Sequence, residues 1–174
     1  MNVSEAIAKR RSVRSYKDTP IEPEKLELIL QAARLSPSAR NQQIWKFVFV
    51  RNRETRENLV HACDEQASVL EANTVVCCCA LKSDVVLPNG EATHTMDLAV
   101  AASFMMLQAT ELGLGSCWIG VFNEEKVKKL LRIPEDVRVV CLLTLGYPHF
   151  VPPASDRKPL SEIVAVENFM QPFL

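Results

Sequence analysis

Asn73-Thr74-Val75-Val76-Cys77-Cys78-Cys79-Ala80-Leu81 runs nine residues with apolar side chains on both parities from Val75 onward. A strand with one wet face would alternate, so this stretch reads as a strand covered on both faces. Trp45-Lys46-Phe47-Val48-Phe49-Val50 and Val137 to Leu145 (VRVVCLLTL) read the same way, the first with aromatic and β-branched residues on nearly every position. Strands covered on both faces require helices on both sides of a sheet.

Working outward, Asn2 followed by Glu5 forms a capping-box pattern, and Val3, Ala6 and Ile7 make a short helix that ends in Arg10-Arg11. Pro23 opens a second helix, whose Leu26, Ile29, Leu30 and Ala33 share a face before Pro37 stops it. Thr95 to Leu112 is the longest helical signal. Met96, Ala99, Val100, Ser103, Phe104 and Leu107 lie on one side, and Ala101, Ala102 and Met105 leave little polar surface elsewhere. A helix apolar almost all round belongs in a core or a subunit interface. Gly113 closes it, a short strand Ser116 to Val121 follows, and Asn123 caps a helix facing inward through Val127, Leu130 and Leu131. The tail from Pro152 carries Leu160, Ile163, Val164, Phe169, Met170, Phe173 and Leu174 without length for a core of its own, so residues 152–174 are expected to dock on a partner subunit.

The 174 residues are 48% hydrophobic and 24% charged, which excludes disordered, collagen-like and coiled-coil classes and fits a single domain spanning 1–174. Twenty Lys and Arg against 21 Asp and Glu leave a net charge of -1, too little for sequence-independent attraction to nucleic acid or anionic membrane. Glu5, Lys9, Arg10 and Arg11 interrupt any apolar run of signal-peptide length, no stretch is apolar enough to span a bilayer, and a cytoplasmic location is expected. The six cysteines are then reduced thiols. There is no C-x-x-C, and Cys77-Cys78-Cys79 alternate faces inside a strand, so no metal site is expected.

Four segments could carry chemistry. Arg10-Arg11-Ser12-Val13-Arg14 offers three guanidinium forks and a hydroxyl, suited to a phosphate dianion, although by itself such a cluster is more often a solvated helix end. Pro37-Ser38-Ala39-Arg40-Asn41-Gln42-Gln43, between a helix and a strand, could bring small and amide-bearing residues against a flat heteroaromatic, or could be a plain connection. Gly113-Leu114-Gly115-Ser116-Cys117-Trp118-Ile119-Gly120 starts like a dinucleotide fingerprint. It nevertheless follows a helix, precedes a strand and has Trp118 where the third glycine belongs, so its glycines are read as capping a helix and then letting backbone approach a ligand at Gly120. Arg157-Lys158 is a second cationic pair, a solvated turn unless the tail folds back toward Arg10 and Ser12. Of the three histidines, His94 in the loop before the long helix is the candidate substrate contact.

Taken in order, R-R-S-x-R-x-Y (Arg10 to Tyr16), S-P-S-A-x-N-x-Q (Ser36 to Gln43), E-L-G-L-G-S-C-W-I-G (Glu111 to Gly120) and Arg157-Lys158 make this chain resemble the nitroreductase family of FMN-dependent oxidoreductases over nearly its whole length. The resemblance implies an α+β fold with a central mixed β-sheet flanked by helices, a homodimer, and FMN in clefts at the subunit interface. It implies that Arg10, Arg11, Ser12, Arg157 and Lys158 hold the phosphate and ribityl end, with Arg14 near the N1/O2 edge of the ring, where a cation favours reduced flavin. Pro37, Ser38, Ala39, Asn41 and Gln43 would approach the ring from the partner chain, backbone at Trp118, Ile119 and Gly120 would face N5, and Gln66 is a further candidate contact. NAD(P)H would pass hydride to the flavin and be replaced by a small acceptor, a nitroaromatic or a quinone, in a ping-pong cycle without a protein acid, base or nucleophile. Two departures from the family pattern stand out: Gln43-Ile44-Trp45 replaces Gln-Pro-Trp, and the short Lys82 to Thr93 stretch, with a turn at Pro88-Asn89-Gly90, lacks a helical lid. The same scaffold supports reductive dehalogenation and enone reduction, and a flavin carrier or redox sensor is the alternative outside enzymes. An RNA-binding use of Arg10, Arg11 and Arg14 is opposed by the neutral charge and the lack of interleaved aromatics.

Overall fold

Alternation along the strand that opened the reading places Val76, Cys78 and Ala80 in one apolar cluster and Val75, Cys77 and Cys79 in another. The structure, a computed structural model, describes residues 1–82 and 84–172; Phe173 and Leu174 of the expected docking tail lie outside the described residues. The strand itself, β3 (Thr74–Ala80), is buried at every position. It pairs antiparallel with β2 (Trp45–Val50) on one side and β5 (Arg138–Gly146) on the other, and β4 (Gly115–Ile119) completes the order β2-β3-β5-β4. The ladders are antiparallel. One isolated parallel bridge, from Ser12 to Ser116 of β4, adds the parallel pairing at that edge.

On one face lie α2 (Pro23–Arg34) and α5 (Thr93–Glu111), giving a core of Ile29, Leu98, Met105, Leu143 and their neighbours. On the other, Leu59 of α3 (Arg53–Ala62), Val69 of α4 (Ala67–Glu71) and Val127 of α6 (Glu124–Leu131) pack on Val75 and Leu142. Each such fully buried Leu or Ile contributes roughly 1.5–3 kcal/mol. The remaining helices are α1 (Val3–Lys9) and the single turn α7 (Leu160–Ile163).

Local signals placed most boundaries. The Asn2, Asn52 and Asn123 side chains each accept a backbone N–H at the start of α1, α3 and α6. After α5, Gly113 takes φ +76°, Leu114 N donates to Ala109 O at 2.8 Å and Gly113 N to Thr110 O at 3.1 Å, the Schellman pattern of a glycine-terminated helix. Gly90, at φ +87°, closes the expected turn after Pro88 and Asn89. α5 begins two residues before Thr95, which puts His94 in its first turn and buries it, instead of leaving it in a loop. β2 is an edge strand whose Trp45, Phe47, Val48 and Phe49 remain half-buried, so its expected two-sided cover is incomplete within the chain.

α5 has two characters. Leu98, Ala101, Ala102 and Met105 face the core, while Met96 and Phe104 are about 40% and 39% exposed on the opposite side. Among the described residues, no helix is long and apolar enough to cross a membrane.

Candidate functional site

A two-stranded ribbon that sequence periodicity did not reveal organises the site. β1 (Ser15–Tyr16) pairs antiparallel with β6 (Pro148–Phe150), Ser15 opposite Phe150 and Tyr16 opposite Pro148. In an antiparallel pair the residues before one strand and after the other emerge at the same end. The segment Arg10 to Arg14 therefore meets the start of the tail, across some 140 residues of chain.

The ribbon is pinned from beneath. The Tyr16 hydroxyl donates to Val13 O at 2.6 Å and shares a 2.7 Å hydrogen bond with Thr144 Oγ1, and burial raises its pKa, keeping it a neutral phenol. Val13 N donates to Ser116 O at 2.9 Å, fastening the arginine segment to the free edge of β4. Two glycines make this approach possible: a Cβ at Gly115 would lie 2.8 Å from three Val13 carbons, and one at Gly146 would lie 2.8 Å from the Tyr16 ring. Gly120, expected from sequence to let backbone approach a ligand, is not crowded by its own chain: a Cβ there would lie 3.4 Å from Trp118 Nε1.

What results is a cleft of about 460 Å³ lined by Arg10, Arg11, Ser12 and Arg14 from one side and Pro152, Pro153, Ser155 and Arg157 from the other. Among the described residues, none of these four arginines is in a salt bridge. Their recorded hydrogen bonds go to nearby backbone carbonyls: Arg11 Nη1 to Ala8 O and Arg10 O, Arg14 Nη1 to Ser12 O, and Arg157 Nη1 to Ser155 O and Asp156 O. Four like charges held together without a carboxylate repel one another, and an entering anion relieves that repulsion while accepting charge-assisted hydrogen bonds. Guanidinium groups and a serine hydroxyl are the donor set for a phosphate monoester, and the lining of the cleft suits one.

The other expected site residues are placed as follows. Lys158 does not line the cleft and lies 3.8 Å from Glu162. Trp118, about 36% exposed on β4, stands two residues from the Ser12–Ser116 bridge. Gln66 caps α4 and donates from Nε2 to Cys63 O and Val121 O, which sets it beside the Trp118, Ile119 and Gly120 segment. Pro37, Ser38, Ala39, Asn41 and Gln43 form a separate surface that does not line the arginine cleft of the same chain. That loop is tightly wound: Arg40, Asn41 and Gln43 all have φ between 52° and 55°, unusual for non-glycine residues. Its Ser38 Oγ accepts Gln43 N at 3.1 Å, and Ala39 N donates to Asp97 Oδ1 at 2.9 Å.

Sequence reading missed four contributors, three of them in one stretch. Pro152, Pro153 and Ser155 wall the cleft, and the double proline was a visible sign of a stiff segment. Asp97 is the one acidic side chain among the buried residues of α5. His94, the candidate substrate contact, is 8% exposed with Nδ1 unpartnered; burial first, then the Arg138 charge, lower its pKa.

The family model described as the nitroreductase family matches residues 7–86 and 71–147, which include three of the four motifs and the whole sheet. A Methanothermobacter thermautotrophicus protein provisionally named NADH dehydrogenase/NAD(P)H nitroreductase is 36% identical over 152 residues, covering 85% of this chain and 78% of its own. A crystal structure of a nitroreductase family protein from Clostridium difficile superposes with a TM-score of 0.86 at 32% identity, over 97% of this chain and 99% of that one. An FMN-dependent nitroreductase from another strain of that species superposes at 0.84 with 31% identity, over 94% and 98%. With sheet order, motif positions and these likenesses in agreement, the chain belongs to the nitroreductase family.

Proposed function

We propose that this protein holds FMN in the arginine cleft and, as a homodimer, carries hydride from NAD(P)H to a small acceptor such as a nitroaromatic or a quinone in a ping-pong cycle. The coarser statement, that it is an NAD(P)H-dependent flavin oxidoreductase, follows from its family and from relatives named for that activity. The observation that carries the finer reading is the cleft itself, with four arginines that no described carboxylate offsets.

Bound FMN would supply the two-electron relay between nicotinamide donor and acceptor. Arg10, Arg11, Ser12 and Arg157 would hold its phosphate, with Lys158 contributing charge from the rim. Arg14 would place a fixed cation where charge accumulates on reduction. Trp118, Ile119, Gly120 and Gln66, grouped at the end of β4, would border the ring, and Pro37, Ser38, Ala39, Asn41 and Gln43 would reach it from the partner. No side chain is asked to act as acid, base or nucleophile.

The homodimer rests on apolar surface that one chain leaves bare. Phe104 and Leu107 of α5, with Val3, Ala6 and Ala32, border a cavity of about 440 Å³. Val3 and Ile7 are 72% and 59% exposed, and in the tail Phe169 and Met170 are 94% and 85% exposed. Exposed apolar side chains in such numbers favour an association site.

The test begins with an absorbance spectrum of the purified protein, before and after anaerobic NADH and then NADPH. A flavin spectrum bleached by either nucleotide is expected; a colourless protein that takes up no added FMN would overturn the proposal. Replacing Arg10 and Arg157 with Ala should then weaken FMN binding by roughly 10- to 150-fold per arginine, from about 1.5–3 kcal/mol for each charge-assisted bond. Full flavin occupancy in the double variant would refute the phosphate assignment.

A further inference from the structure

Asp97 sits on the buried face of α5, followed one and two turns later by Ala101 and Met105, where packing alone calls for an apolar side chain. It is 6% exposed, and among the described residues it is in no ion pair, not even with His94 one turn earlier. Oδ1 accepts one hydrogen bond, from Ala39 N, and Oδ2 is buried with no partner. A carboxylate so placed is unfavourable, and each such group calls for an explanation.

Its one recorded partner supplies the explanation. Ala39 opens the 3-10 turn Ala39–Asn41, and three of the four residues that follow it, Arg40, Asn41 and Gln43, are in the left-handed region. A backbone like this persists only where its surroundings over-determine it. The bonds Asn41 N to Ser38 O, Gln42 N to Ala39 O and Gln43 N to Ser38 Oγ are internal to the loop, and would move with it. The Asp97 carboxylate is the recorded tie from the loop's first turn to the helix layer.

We propose that Asp97 is a positioning residue: by holding the Ala39 N–H it sets Ser38, Ala39, Asn41 and Gln43 in the one arrangement that meets the flavin ring. This rests on the flavin-binding reading above. The carboxylate acts through the loop and touches neither cofactor nor substrate.

Two measurements on the full-length protein test it: amide hydrogen exchange at Ala39 without flavin, and FMN titration followed by flavin fluorescence. Asp97→Ala removes the acceptor, and is expected to speed Ala39 exchange and raise the FMN Kd, each roughly tenfold or more. Asp97→Asn keeps an acceptor oxygen of the same shape and should restore both to within about threefold of wild type, a rescue that loss of charge alone would not give. Should the Ala variant not fold, Ala39→Pro deletes the donor from the loop side; Ser38, at φ -141° and ψ 158°, already has the backbone a following proline requires. Wild-type protein that binds FMN alongside an Asp97→Ala or Ala39→Pro variant that binds it equally well would overturn the role. Wild-type protein that takes up no FMN sinks the functional reading and this role with it, and the exchange comparison still decides whether Asp97 holds the loop.

Discussion

Replacing Gly115 with Ala tests how the arginine segment is seated. The added methyl would stand 2.8 Å from Val13 Cβ, Cγ1 and Cγ2 at once. Val13 is 3% exposed and branched at Cβ, so no rotation removes all three contacts, and the Arg10 to Arg14 backbone must move away from Ser116. Overpacking of this size costs about 1–3 kcal/mol. For a chain this long the melting temperature should fall by roughly 2–4 °C per kcal/mol. Val13→Ala removes two of the three clashing carbons and by itself should cost about 1.5 kcal/mol or more in lost burial. The double variant should therefore be less destabilised than the sum of the singles by at least about 1 kcal/mol. Urea unfolding followed by the fluorescence of Trp45 and Trp118, at one fixed protein concentration, measures all four corners of the cycle. FMN affinity should fall in Gly115→Ala and partly return in the double variant, because the same shift moves the arginines. Additivity within about 0.5 kcal/mol would refute the steric argument.

Other outcomes follow from the packing. Burial alone would raise the Glu124 carboxyl, but the Arg138 guanidinium at 2.9 and 3.1 Å, the Val139 N–H at 2.8 Å and the Lys128 charge together hold it below its ordinary value. Its stabilisation is therefore complete above the unfolded value of about 4.3 and drains away as pH falls through the lower folded value. Glu124→Gln should flatten the acid side of the stability profile, and an unchanged slope there would contradict the assignment. The six cysteines are all buried, and burial pushes the Cys63 thiol up to about 11. A thiol-reactive chromophore should find no fast site in the native protein and six in denaturant; one rapid native thiol would be enough to show that the packing is wrong. Ending the chain after Leu160 should lower the mass seen by light scattering, and an unchanged mass would argue against tail docking.

Much of this fold is written in short-range pattern. The apolar runs at 73–81 and 137–145 became β3 and β5, central strands covered on both faces, and the run at 45–50 became β2, an edge strand that the chain covers only in part. Asn2, Asn123 and Gly113 marked helix ends because a cap acts within a few residues of itself. α3 was harder to see: its buried Arg56, Leu59 and Ala62 are interspersed among polar residues, and only the Asn52 cap announces it.

The sequence alone therefore determined the three apolar strands, the long apolar helix and the four motif segments, since each depends on spacing within a few turns of chain. Tertiary structure decided where those motifs meet. Pairing of β1 with β6 brings Arg157 to Arg10, a relation between residues far apart in the chain that no local period encodes. Val13 against Gly115 and Tyr16 against Gly146 explain the two glycines, whose need for space belongs to their neighbours and not to their own turns. Asp97 acquires its role only through Ala39, 58 residues away, because a buried carboxylate takes its meaning from the donor that folding places against it.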